Sequence, residues 1–135
     1  MIYLLDTNVV SELVRPRPDP KVRAWLASLD EVALSVISIE ELVFGIERAP
    51  AARRQKLAAW FDDLVDHLVK IEEITPEIAR AAGELRARRT RAGRPVTQAD
   101  MLIAATALVR GWTLATRNVP DFEDCGVLLF NPFSS

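Results

Sequence analysis

The chain has 135 residues, half of them hydrophobic and 27% charged, with a formal net charge of −2, the profile of one globular domain spanning 1–135. A mildly acidic chain is no general coat for nucleic acid, and its longest apolar run, residues 101–109, is far short of the ~20 needed to cross a bilayer. A single cysteine, Cys125, and a single histidine, His67, exclude an internal disulfide and a Cys/His-rich zinc site, and fit a reducing, cytoplasmic setting.

Residues 2–5 are apolar without alternation and predict a buried strand that ends at Asp6. No basic region precedes this run, so a signal peptide is not expected. A short helix is predicted over 8–14, closed by Arg15-Pro16-Arg17-Pro18-Asp19-Pro20. Val22, Trp25, Leu26 and Leu29 share one face of a helix over 22–29. A second strand is predicted over 32–37, then a helix over 38–48 that stops ahead of Pro50. Leu57, Trp60, Phe61, Leu64 and Val65 align on a helix over 51–65, and 67–71 predicts a third strand. Pro76 suits a first helical turn, with Ile78, Ala79, Ala82 and Leu85 continuing the helix to Arg89 and Gly93-Arg94-Pro95 breaking it. Residues 97–110 are apolar nearly all round and predict a central helix ended by Gly111. A fourth strand is predicted over 112–115 and a short last one over 127–130.

Strands separated by helices predict an α/β fold, a parallel sheet with helices on both faces. Functional groups in such sheets gather beyond the carboxyl ends of the strands. Three acids belong there: Asp6 at the first strand's exit, Glu41 after the second, and Asp100 at the start of the apolar helix. Taken singly, each is also a good helix cap. Ser38-x-x-Glu41 matches a capping box, Thr97-x-x-Asp100 is a weaker version, and Asp6 suits an N-cap. Taken together, and with Asp100 expected to lie deep, they would repel one another and hold raised pKa values. A divalent cation relieves that repulsion, and hard oxygen donors select Mg²⁺ or Mn²⁺. A further contribution is expected from the loop after the fourth strand, where Asp121 reads equally as a surface turn residue and Glu123 and Asp124 read first as surface turn residues.

Four segments carry a family resemblance. They are Leu5-Asp6-Thr7-Asn8, Ser38-x-x-Glu41-Leu42-x-x-Gly45, Asp100-x-x-Ile103-Ala104-Ala105-Thr106-Ala107 and Thr116-Arg117-Asn118-x-x-Asp121-Phe122, followed by a closing Asn131-Pro132-Phe133. In this order and spacing the chain resembles the PIN-domain ribonucleases, and among them the VapC and FitB-like toxins of type II toxin–antitoxin pairs. The resemblance implies a three-layer α/β/α fold around a short parallel sheet of about five strands, order 3-2-1-4-5. It implies Mg²⁺- or Mn²⁺-dependent hydrolysis of RNA, with Asp6, Glu41 and Asp100 as the acidic triad. Asp6 and Asp100 would bind the metal, and Glu41 would hold or deprotonate the attacking water. Thr7, Asn8 and Thr116 would orient these groups. The family's fourth acid aligns with Asn118, and Asp121 is the nearest acid able to take its place. A site with one metal, joined by a second when RNA arrives, is the expected arrangement.

The resemblance also implies a cognate VapB-like antitoxin and a homodimer, for which Trp25, Phe44 and Trp60 are candidate contacts, core packing explaining each as well. Arginines crowd the end of the helix before Gly93. Arg86, Arg89, Arg91 and Arg94 read either as a solvated helix end or as a phosphate-binding strip that guides RNA to Asp100. The alternative from another class is a PIN fold with weak catalysis, acting through antitoxin or nucleic-acid binding; Asn118 favours it. Phosphoryl-transfer folds fit less well, because Asn8 stands where a haloacid-dehalogenase-like site needs a second Asp.

Overall fold

The computed structural model describes residues 1–133. Five short strands form one sheet: β1 (Tyr3–Leu5), β2 (Val32–Ser35), β3 (Lys70–Glu72), β4 (Thr113–Ala115) and β5 (Leu128–Phe130). All four pairings are parallel and the order is β3-β2-β1-β4-β5, the order the family resemblance implies. Among the described residues the helices are α1 (Thr7–Glu12), α2 (Pro20–Ala27), α3 (Val36–Glu47), α4 (Ala51–Asp63), α5 (Pro76–Arg91), α6 (Gln98–Arg110) and α7 (Val119–Phe122).

Alternation along the strands gives the sheet two apolar faces. Leu4, Ala33 and Leu114 point to one side, where α5 and α6 cover them through Ile78, Ala82, Leu85, Met101, Ile103 and Ala104. Leu5, Leu34 and Ala115 point to the other, against Val9, Val10, Val22, Leu42, Ile46 and Phe61. Three layers result. The strand order changes side at β1: the chain adds β2 and β3 on one side of it, then β4 and β5 on the other. The crevice above that change of side is where ligands bind in open parallel sheets.

Several boundaries differ from the sequence expectation. Val36 and Ile37 are β-branched and read as strand, yet β2 stops at Ser35, whose hydroxyl accepts from Ile37 N at 3.0 Å and caps α3. The cap is therefore Ser35 and not Ser38. His67 lies in a π-helical turn over Leu64–Leu68 that extends α4, and β3 begins only at Lys70. The four-residue α7 carries too few residues to show periodicity in the sequence. Gly111 adopts φ +73° and closes α6 as expected, an αL conformation that glycine takes without strain.

Candidate active site

Asp6 leaves the central strand at the crevice. Its N–H donates to Ala115 O at 2.9 Å, continuing the β1–β4 ladder by one residue. Its carboxylate then turns up between the strands and is 5% exposed as a residue. Oδ1 accepts from Thr7 N at 2.8 Å; Oδ2 accepts from Asn8 Nδ2 at 3.1 Å and from Thr116 Oγ1 at 2.8 Å. The last bond crosses the crevice from the end of β4. Asn8 reaches the same far wall, its Oδ1 accepting from Arg117 N at 3.2 Å. Thr116 in turn accepts from Asn118 N at 3.0 Å.

Thr7 holds Glu41. The Thr7 hydroxyl donates to Glu41 Oε1 at 2.6 Å and shares a 2.8 Å hydrogen bond with the Ser38 hydroxyl. An ionised carboxylate only accepts, so the single Thr7 proton goes to Glu41 and Ser38 donates to Thr7. Ser38 is fully buried inside α3, one turn ahead of Glu41. The Ser-x-x-Glu pair is thus no capping box but two steps of one bonded chain that reaches α1.

Asp100 sits in the first turn of α6, where its N–H donates to Thr97 Oγ1 at 3.1 Å. Thr97 does cap this helix. The Asp100 side chain is half-buried at the groove wall rather than deep, as the apolar helix behind it had implied. An open groove of about 430 Å³ brings together Asp6, Thr7, Asn8, Glu41, Asp100 and Asn118. Asp121, exposed in α7, stands close enough for its charge to act on Asp100. Glu12 carries no signal in the sequence, yet it is buried on the groove wall, where it accepts from Asp19 N at 2.9 Å and pairs with Arg15.

The acids feel one another. Burial pushes the Asp6 carboxyl up to about 6, and the charges of Asp100 and Glu41 push the same way against the bonds from Thr116 and Thr7. Asp100 is also raised, by burial first and then by Asp121 and Glu41, against the Thr97 bond. Among the described residues no Lys or Arg forms an ion pair with Asp6, Glu41, Asp100 or Asp121. Nor do three of these acids stand at the mutual spacing of a closed cation cage. The all-oxygen donor set, with no cationic side chain paired to it among the described residues, fits a hard divalent cation.

A family model described as "PIN domain" matches residues 3–124. The chain belongs to the PIN-domain family. Among its relatives, a VapC ribonuclease of Sinorhizobium fredii is 33% identical over 98% of each chain. Toxin FitB of Neisseria gonorrhoeae is 34% identical, over 98% of this chain and 99% of its own. A crystal structure of FitAcB from Neisseria gonorrhoeae superposes with TM-score 0.85 at 33% identity, covering 100% of both chains. The resemblance to the VapC and FitB-like toxins is borne out in family and in fold.

The arginine strip of this PIN domain needs correcting. Arg89 is 5% exposed, and its guanidinium donates to Glu123 O at 2.6 Å and Arg94 O at 3.3 Å. It faces inward and ties α5 to the chain after α7, so it is removed from the candidate RNA contacts. Arg94 pairs with the Asp124 carboxylate, and Arg88 donates to Asp124 O at 3.1 Å. Arg86 and Arg91 remain exposed. Of the candidate dimer contacts, Trp25 is packed between Tyr3 and Phe130, with ring centroids 4.9 and 5.1 Å away. Phe44 is 56% exposed, beside exposed Val43. No helix among the described residues is long and apolar enough to cross a membrane.

Proposed function

We propose that this chain is a metal-dependent endoribonuclease toxin that hydrolyses RNA phosphodiester bonds in the cytoplasm and is neutralised by a cognate antitoxin. The observation that carries the reading is the groove itself: Asp6, Glu41 and Asp100 line one opening at the switch point of a PIN sheet, each carried by a different element and none in an ion pair among the described residues. Relatives named as a VapC ribonuclease and as toxin FitB, matched over nearly the whole chain, support it.

Asp6 and Asp100 would hold the cation, with Asp121 or Asn118 completing its surroundings. Mg²⁺ or Mn²⁺ held there supplies acidification of a water and neutralisation of charge on the phosphate oxygens. Thr7 occupies Glu41 Oε1, so Oε2 is the atom of Glu41 that would orient a water and take its proton. The water oxygen then bonds to phosphorus as the bond to the leaving ribose oxygen breaks. Thr116 and Asn8 keep Asp6 from rotating, which would present its carboxylate to a bound cation in one orientation.

An apolar groove of about 380 Å³, lined by Leu42, Ile46, Leu57 and Trp60, meets the acidic one at Glu41 and Arg15. Its position suits an antitoxin that covers both. Mapping RNA ends produced by the wild type and by Asp100→Ala tests the proposal. Cleavage by the wild type alone supports it; equal cleavage by both proteins contradicts it.

A further inference from the structure

Two arginines line the acidic groove, Arg15 and Arg117, and they are held differently. Arg15 leans on Glu12, its Nη1 3.4 Å from Oε1 of that buried carboxylate, so its charge is answered within the fold. Arg117 has no acidic partner among the described residues, and none of its side-chain N–H groups is bonded there. Its guanidinium carbon instead lies 4.4 Å from the centroid of the Phe133 ring. A ring face orients a cation without neutralising it. Both halves of the stack are anchored. Arg117 N donates to Asn8 Oδ1, and Asn8 grips Asp6; Phe133 N donates to Asn131 Oδ1 at 2.9 Å, and its ring packs on the core beneath α1 and α3.

We infer that Arg117, held over the ring of Phe133, is the phosphate-binding group of this groove and takes a backbone phosphate of RNA beside the acidic cluster. The inference rests on the ribonuclease reading of the same groove. A polyanion approaching Asp6, Glu41, Asp100 and Asp121 on a chain of net charge −2 is repelled unless a cation receives it. A guanidinium with its donors unspent binds phosphate through two parallel N–H bonds, and one fixed in place loses little freedom on doing so. The closing Asn131-Pro132-Phe133 segment thereby serves as the platform on which Arg117 lies.

Fluorescence anisotropy of a labelled single-stranded RNA, in EDTA and across a salt series, reads this site without turnover. Arg117→Ala weakens binding about tenfold and makes the slope of log affinity against log salt shallower by about 0.7, the share of one phosphate contact. Arg117→Lys keeps the slope and recovers part of the affinity. Phe133→Leu keeps the slope and weakens binding, because the charge remains but is no longer oriented. Melting curves confirm that each variant is folded. Wild-type affinity and slope in Arg117→Ala overturn the inference, as does a wild type that binds no RNA. Binding with these variant effects but no cleavage in Mg²⁺ or Mn²⁺ contradicts the ribonuclease reading and leaves the phosphate site standing.

Discussion

The Thr7 hydroxyl donates a 2.6 Å hydrogen bond to Glu41 Oε1, joining the first residue of α1 to the middle of α3. Thr7→Val keeps the shape and removes the donor. Glu41 then loses its orientation, and the Ser38 hydroxyl loses its acceptor inside α3. RNA cleavage is expected to fall about tenfold to a hundredfold, mainly in kcat. Melting should drop by about 1–3 kcal/mol of stability, the cost of an unsatisfied buried hydroxyl. Steady-state kinetics and a melting curve check both, and unchanged kcat contradicts the role given to Thr7.

Asp6 sets a pH dependence whose sign follows from burial. Its folded pKa of about 6 lies above the ordinary 3.8, so between those values the folded chain binds the proton more tightly than the unfolded one. The stability this gives is fully present below about pH 4 and is lost as pH rises through 6, up to about 3 kcal/mol. Asp6→Asn removes the effect. Its melting temperature should therefore gain on that of the wild type between pH 4 and pH 7. A gap that does not move with pH contradicts a buried, titrating Asp6.

Asp121 raises Asp100 through charge, although it stands on a separate short helix. Asp121→Asn should let Asp100 ionise at lower pH, followed by NMR of its side-chain carboxyl. Asn118→Asp adds a carboxylate to the groove and should move Asp6 and Asp100 the other way. An Asp100 titration that ignores both changes places neither residue in the cluster.

Arg89 is part of the core. Arg89→Ala leaves the carbonyls of Glu123 and Arg94 without their donor and opens a void beside Cys125, at a cost of about 3 kcal/mol. Arg91→Ala, on the exposed side of the same helix, should leave stability within about 0.5 kcal/mol. Equal denaturation midpoints for the two variants contradict this division.

These contrasts also mark what the chain discloses before folding. Asp6, Glu41 and Asp100 are legible because a parallel sheet gathers strand exits and helix starts at one edge, and the spacing of apolar runs identifies both. The position of Arg89 is hidden by the arginines around it, which read as surface, although its register is that of the core. Ile78, Ala82, Leu85 and Arg89 continue one 4-3-4 spacing, which places the arginine on the core face of α5. Ser38 misleads in the opposite way. A local motif, Ser-x-x-Glu, mimicked a cap, while the real cap at Ser35 was hidden by the β-branched Val36 and Ile37 that follow it. The bond from Thr7 to Ser38 and Glu41, and the stack of Arg117 on Phe133, join distant segments, and no local pattern encodes them.

Calorimetric titration of Mn²⁺ into the wild type and into Asp6→Asn tests the central claim most directly, that these acids form a cation site. Neutral pH keeps Asp6 ionised in the wild type. The wild type should bind the ion, and Asp6→Asn should bind it at least tenfold more weakly. No binding to the wild type, or equal binding by both proteins, would contradict the account.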